Sequence, residues 1–271
     1  MRERWERQAA GWRRQADGVR EFGMPVSAWL IEQLHLQPGH AVVDLAAGPG
    51  DTGFMAAELI RPAGRLISSD AADAMLEIAR ERATAQGIDN VEFKQIELEW
   101  IDLDTASADA VVCRWGLMFA PDPGAALQEI RRVLRPSGRV ALATWDGPMQ
   151  NPWASLPTLT LIELGHVEPP DPSAPGMFAL ADRDRLRELL ESAGFTEVVA
   201  EEVEVQNPAG DIEQFLTSQI DLNPMLGDLQ ARLSPEDFDA ALAAISERLA
   251  PFVSDGRLRL SGRALVAAAT A

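Results

Sequence analysis

The sequence predicts an α/β fold in which a mostly parallel, seven-stranded sheet carries helices on both faces and a helical cap. Three observations support it. Strand-like apolar runs near 41–45, 65–69, 91–95, 109–114 and 139–145 alternate with helical segments, the pattern of parallel strands covered on both sides. The first run, Val42-Val43-Asp44-Leu45, leads straight into Ala46-Ala47-Gly48-Pro49-Gly50-Asp51-Thr52-Gly53, a glycine-rich turn that opens a helix. Two later strand-like segments, 196–205 and 262–269, enclose apolar helical stretches that supply the cap.

Residues 1–35 read as helices, with Trp5, Trp12, Phe22, Val26, Trp29, Leu30 and Leu34 as candidate buried positions, and Pro38-Gly39 breaks the pattern before the first strand. Beyond Trp145, Pro148, Pro152, Pro157, Pro169, Pro170, Pro172 and Pro175 punctuate a stretch too irregular for another βα unit, which reads as an insertion. Residues 181–193 look helical, with Leu186, Leu189 and Leu190 on one face and Gly194 as a stop. Residues 211–219 and 235–249 are also helical, the second carrying Phe238, Ala241, Leu242, Ile245 and Leu249 at the spacing of ordinary core packing. The expected organisation is a helical segment over the ligand site (1–38), a ligand-binding core (39–147) and an insertion (148–180). The rest of the sheet follows (181–271), with a cap inserted near 211–256.

Composition narrows the function. The net charge of -18 opposes nucleic acid, whose phosphates demand a basic face, and an anionic membrane surface. No apolar stretch approaches the roughly 18 residues of a membrane helix, and the Arg- and Glu-rich start lacks the apolar centre of a signal peptide, so a cytoplasmic location is expected. The single cysteine, Cys113, lies in an apolar strand-like run and reads as a buried thiol. No metal site is assigned.

The glycine turn has the spacing G-x-G-x-x-G, which by itself does not choose between cofactors. The acids do. A pyrophosphate brought here would meet Asp44 and Asp51 beside the helix amides that should welcome it. S-adenosylmethionine instead offers an ammonium and a sulfonium to those carboxylates, while the amides can hold its own carboxylate. The run Gly64-Arg65-Leu66-Ile67-Ser68-Ser69-Asp70 looks like a second strand ending in an acid, 22 positions after Gly48, where it can accept hydrogen bonds from both ribose hydroxyls.

Longer motifs follow in the same order: Ser69-Asp70-Ala71-Ala72-Asp73-Ala74-Met75-Leu76, then Asn90-Val91-Glu92-Phe93-Lys94-Gln95-Ile96-Glu97-Leu98-Glu99, then Val111-Val112-Cys113-Arg114-Trp115-Gly116-Leu117-Met118-Phe119 and Glu129-Ile130-Arg131-Arg132-Val133-Leu134-Arg135-Pro136-Ser137-Gly138. Over roughly residues 40–146 the chain resembles the class I S-adenosylmethionine-dependent methyltransferases, in particular the small-molecule branch similar to ubiquinone and menaquinone C-methyltransferases. The resemblance implies a Rossmann-like fold whose last strand runs antiparallel, with S-adenosyl-L-methionine as cofactor and S-adenosyl-L-homocysteine as product. It places Asp44, Gly48, Gly50 and Thr52 at the amino-acid end, Asp70 at the ribose and Glu97 with Leu98 at the adenine, and it counts Ala46, Ala71, Met75 and Arg114 among the cofactor-binding positions. Glu97 stands where the family usually has Asp, Ala108 where Phe commonly precedes the strand acid, and Thr105 where the loop usually carries an acid.

The acceptor site is less legible, because methyl transfer needs mainly an aligned nucleophile about 3 Å from the methyl carbon and a water-poor pocket. Trp12, Trp115, Met118 and Phe119, with Trp153, Met177 and Phe178, can line such a pocket, although core packing explains each one alone. His166 is the histidine expected to face the site as a general base. His35 and His40 flank the opposite end of the first strand. Arg114 has three readings: its backbone holds the cofactor's methionine end, its guanidinium holds a substrate acid, or it forms a structural ion pair. Arg131, Arg132 and Arg135 read as solvated cations complementing a helix end. The chain lacks the Asn/Asp-Pro-Pro-Tyr/Phe tetrad of many amino-methylating enzymes, and it contains no tyrosine.

The expected function is methyl transfer to carbon or oxygen of a small, hydrophobic or aromatic metabolite. The expected partner is that small-molecule methyl acceptor, with no nucleic acid and no membrane insertion; a homodimer fits the same picture. An S-adenosylmethionine-binding protein with a regulatory or non-methylating role is the alternative, and a nicotinamide-dependent oxidoreductase is opposed by Asp44 and Asp51.

Overall fold

The computed structural model describes residues 2–208 and 210–271; Met1, at the start of the expected helical segment, and Ala209 lie outside the described residues. In chain order the elements are α1 (Arg2–Gln33), β1 (Ala41–Leu45), α2 (Asp51–Leu59), β2 (Arg65–Asp70), α3 (Asp73–Gln86), β3 (Val91–Gln95), β4 (Ala108–Arg114), α4 (Pro123–Val133) and β5 (Leu134–Trp145). There follow α5 (Pro152–Glu163), α6 (Arg183–Ser192), β6 (Thr196–Gln206), α7 (Ile212–Leu222), α8 (Pro224–Arg232), α9 (Pro235–Leu249), β7 (Val253–Ser254), β8 (Arg257–Leu258) and β9 (Ser261–Thr270).

The seven-stranded sheet runs β3-β2-β1-β4-β5-β9-β6. Strands β1 to β5 pair in parallel, with Val43 opposite both Ile67 and Val111, and β9 runs antiparallel to β5 and β6. The parallel strands need both faces covered. Val42, Val43, Val111, Val112, Val140 and Leu142 accordingly pack with Val26, Leu30 and Leu34 of α1, Leu127 and Ile130 of α4, and Leu186 and Leu190 of α6 in one core. Strand order reverses between β1 and β4, which opens a crevice beyond their carboxyl ends.

A second cluster, built on Leu161 of α5, Phe215 and Leu216 of α7, Leu226 and Leu229 of α8 and Phe238, Ala241, Ile245 and Leu249 of α9, forms the cap. Among the described residues no helix is long and apolar enough to cross a membrane.

Several expectations need correction. Residues 2–33 form one continuous helix through Pro25. The exposed Pro25 loses one backbone bond, while Val26, Leu30 and Ile31 behind it are buried. The stretch after Trp145 contains α5, and α8 and the β7–β8 hairpin were not foreseen. Pro152 and Pro224 sit at the first turns of α5 and α8, where a missing N–H costs nothing. Strand β5 begins at Leu134, which pairs with Ala108 ahead of an irregularity in the ladder. The three arginines are not merely solvated. Arg131 donates to the Gly194 carbonyl at 2.8 Å, Arg132 to the Ile101 and Leu103 carbonyls at 2.7 and 2.8 Å, and Arg135 pairs with Asp109 at 2.5 Å.

Candidate functional site

The turn after β1 is shaped by backbone bonds, with the Ala47 N–H donating to the Ser69 carbonyl at 2.8 Å and the Gly50 N–H to the Ala47 carbonyl at 3.0 Å. Gly50 has φ +89°, and a Cβ there would meet the Phe54 ring at 2.4 Å, so conformation and space both demand glycine. At Gly53 a Cβ would lie 2.5 Å from Asp44 Oδ2, the same oxygen that accepts the Gly53 N–H at 2.8 Å. The third glycine of the motif thus lets the strand-end carboxyl cap α2 from inside the sheet.

Three acids surround this turn. Asp44 is 1% exposed, and burial pushes its carboxyl up to about 7 against the opposing pull of the nearby Arg114 guanidinium and the Gly53 N–H. Asp70 accepts the Ala72 N–H on Oδ1 at 2.9 Å and the Gly48 N–H on Oδ2 at 3.0 Å, and burial raises it to about 6. Each Asp70 oxygen keeps a further lone pair, enough to accept one hydroxyl apiece. Asp51 pairs through Oδ1 with Arg82 Nη2 of α3 at 2.6 Å, whereas its Oδ2 is buried without a partner.

Helix α1 closes over these groups. Glu6 accepts the Asp73 and Ala74 N–H groups at 2.9 and 3.1 Å, capping α3, which has no side-chain cap of its own. Asp17 meets Arg82 at 3.4 Å, and the Ser27 and Thr52 hydroxyls lie 2.9 Å apart, both buried. Arg114 Nη1 donates to Ser27 Oγ at 3.0 Å, and the guanidinium lies 4.9 Å from the centre of the Trp115 ring. Asp51 and Asp44 act on it through space while burial weakens its hold on its proton, so among the described contacts Arg114 serves α1 and the aromatic wall rather than a structural ion pair. Glu6, Ser27 and Arg82 were missed by sequence reasoning, because their partners stand 25 to 68 residues away.

The aromatic residues separate into two groups. Trp5 of α1 stands edge-on to both Trp12 and Phe119, at 5.9 and 5.2 Å, and Trp12 packs with Met75 beside Ala72. Trp115, at φ +62° past the end of β4, stacks on Trp145 at the end of β5 with 4.3 Å between centroids, and Phe22 and Trp153 close this second group. Met118 is 2% exposed, and its carbonyl accepts the Gly176 N–H at 3.1 Å, which fits it into the core rather than onto a pocket wall. Trp12 Nε1 and Trp115 Nε1 are buried donors without partners.

Glu97 and Leu98 follow β3. Glu97 is exposed and Leu98 half-buried, and the Ile96 N–H donates to the Asp70 carbonyl at 3.2 Å, tying this loop to the second strand acid. Ala71 is half-buried, and its carbonyl accepts Gln95 Nε2 at 2.8 Å. His166 is half-buried just past α5; its N–H donates to the Leu161 carbonyl at 2.9 Å and its carbonyl accepts Arg232 Nη2 at 2.5 Å, so its hydrogen bonds lie within the cap. Among the described residues no group of three or more His, Cys, Asp or Glu is placed to hold a metal.

The geometry fits the cofactor read from the sequence. Unpartnered Asp51 Oδ2 suits a cation, the unpartnered indole N–H groups suit acceptors, and the space over Gly48 is open, with nothing within 4 Å of a Cβ placed there. The chain is 27% identical over 192 residues to a ubiquinone/menaquinone biosynthesis C-methyltransferase (UbiE) of Francisella philomiragia, a match covering 67% of this chain and 75% of that protein. With the protein of the same name from Pasteurella multocida it shares 30% identity over 173 residues, 60% of this chain and 65% of that protein. The crystal structure of the YcgJ protein from Bacillus subtilis has the same fold, with a TM-score of 0.61 at 17% identity, over 90% of this chain and 97% of that one. A family model described as a methyltransferase domain matches residues 36–194, more than half of the chain, which therefore belongs to that family and is a class I S-adenosylmethionine-dependent methyltransferase similar to the UbiE enzymes.

Proposed function

We propose that this enzyme transfers the cofactor's methyl group to carbon or oxygen of a small, hydrophobic or aromatic acceptor held against the aromatic residues beyond β4 and β5.

 The observation that carries this reading is the Trp115–Trp145 stack with Phe22 and Trp153, placed at the carboxyl ends of two strands beside the acid-lined turn. Two relatives named as ubiquinone/menaquinone biosynthesis C-methyltransferases support carbon as the methylated atom.

In this reading Asp44, Ala46, Gly48, Gly50 and Thr52 hold the amino-acid end of the cofactor, with the Arg114 backbone beside it. Asp70, flanked by Ala71 and Met75, accepts the ribose hydroxyls, and Glu97 with the Leu98 amide meets the adenine. Trp12, Trp115 and Phe119 form walls, with Met118 supporting them from the core. The bound cofactor supplies a methyl carbon already activated by its sulfonium. The acceptor's nucleophilic atom bonds to that carbon as the carbon–sulfur bond breaks, and the acceptor then loses a proton. His166 remains the proposed proton acceptor.

The test is isothermal calorimetry on protein stripped of co-purified ligand, against S-adenosylmethionine, S-adenosylhomocysteine and NAD, followed by transfer of labelled methyl to a panel of hydrophobic phenols and quinols. Binding of the first two ligands together with a labelled product supports the proposal. Binding without transfer to any acceptor favours the non-methylating alternative. Asp70→Ala should weaken S-adenosylhomocysteine by about 1 to 3 kcal/mol, the scale of hydrogen bonds to a charged group, and unchanged affinity removes Asp70 from the ribose site.

A further inference from the structure

We propose that the Glu129–Arg132 pair of α4 is a positioning element for adenine recognition, an inference resting on the adenine role proposed above for Glu97 and Leu98. These residues begin a four-residue turn, 97–100, closed by the Trp100 N–H donating to the Glu97 carbonyl at 3.1 Å. Trp100 projects from the protein at 76% exposure, whereas Leu98 packs against the core and Glu99 accepts the Asp122 N–H at 3.2 Å. Its upstream end is fastened to β2 through Ile96 and the Asp70 carbonyl.

Its downstream end is fastened to α4. The Ile101 N–H donates to Glu129 Oε2 at 3.1 Å, and the Ile101 carbonyl accepts Arg132 Nη2 at 2.7 Å. Arg132 Nη1 holds the Leu103 carbonyl at 2.8 Å, and Nε and Nη2 grip the two Glu129 oxygens at 2.7 and 2.8 Å. One guanidinium thus uses its fixed fork to set two carbonyls and one carboxylate at once, a geometry that lysine cannot reproduce. A cavity of about 530 Å³, lined by Lys94, Trp100, Leu103, Asp104 and the pair itself, adjoins the loop. Ile101 is buried in the core, with Leu98 and Leu103 packed against that cluster, and Lys94 pairs with Asp102 at 2.9 Å, so the hydrogen bonds to α4 act together with this packing to set the turn's position. The Arg132 guanidinium holds the Glu129 carboxyl below its ordinary range, consistent with a standing ion pair.

The test compares S-adenosylhomocysteine with S-inosylhomocysteine, in which a carbonyl replaces the adenine amino group, by calorimetry on the full chain. The wild-type protein should prefer the adenosyl ligand by about tenfold or more, the worth of one well-placed polar contact. Arg132→Met should compress that preference to below about threefold, chiefly by weakening the adenosyl ligand, and Arg132→Lys should fall between. A purely structural role lowers both affinities together and leaves the ratio intact, and that result overturns the proposal. If Arg132→Met does not fold, the ratios in Arg132→Lys and Glu129→Gln decide in the same way. A wild-type protein that binds both ligands equally refutes the adenine reading itself, whereas a wild-type preference that survives every variant refutes only the positioning role.

Discussion

Cofactor binding should expel protons from the buried acids. Asp44 and Asp70 are held up to about 7 and about 6 mainly by burial, which penalises their ionised forms. In the proposed reading a cation beside Asp44 and two hydroxyl donors on Asp70 both favour the carboxylate, so the loaded protein should hold these groups ionised. Near pH 6 both groups are protonated to a large extent in the free protein, Asp44 more than Asp70, so complete ionisation releases on the order of one proton per cofactor. Near pH 8 both groups are already largely ionised and little is left to release. Calorimetric titration with S-adenosylhomocysteine in phosphate and in imidazole, buffers of different ionisation enthalpy, reads the number directly.

The same linkage governs stability, with a definite sign. Both folded-state values lie above the ordinary value of 3.8, so between about pH 4 and pH 7 the folded protein binds more protons than the unfolded chain. The contribution of these groups to stability therefore falls as pH rises through that window, by a few kcal/mol in total. The thermal shift produced by S-adenosylhomocysteine should accordingly be larger at pH 8 than at pH 5. Buffer-independent heats at pH 6, meaning no proton release, would falsify the assignment of these two carboxyls to the cofactor, and Asp44→Asn should remove the larger share of any release observed.

Two further substitutions probe the same region. Arg82→Met leaves the Asp51 carboxylate, whose side chain is only 4% exposed, without its counter-charge, and should cost about 3 kcal/mol in urea unfolding. Adding Asp51→Asn should recover most of that loss, and simple additivity would contradict the pairing. Gly53→Ala drives a methyl group into Asp44 Oδ2 and should lower S-adenosylhomocysteine affinity by about tenfold or more, measured by calorimetry. An alanine variant that binds like the wild type would show that this oxygen has room to move and that the third glycine has no part in the site.

Much of the fold was legible because its signals are local. Alternating apolar strands and helices specify a parallel sheet wherever they occur, and the turn at 46–53 joins strand and helix within a few residues, so Asp44 and Asp70 could be placed at strand ends from spacing alone. Proline was the weak guide. At Pro152 and Pro224 it begins helices, and at Pro25 and Pro157 it lies inside them. Burial of the surrounding apolar faces, which no local pattern reports, decides between breaking and starting a helix.

The amino-acid order by itself determined the sheet, the glycine turn and the strand-end acids, because each depends on neighbours within a turn or a strand. Only the tertiary structure decided how those acids are held. Glu6 caps a helix 67 residues away, Arg82 reaches Asp51 across 31, and Arg114 reaches back 87 to Ser27. It also divided one expected pocket into two aromatic groups and turned Arg132 from a solvated cation into a clamp on two carbonyls. Such contacts arise when packing brings distant segments together, and their geometry is set by the buried core beneath them rather than by sequence spacing.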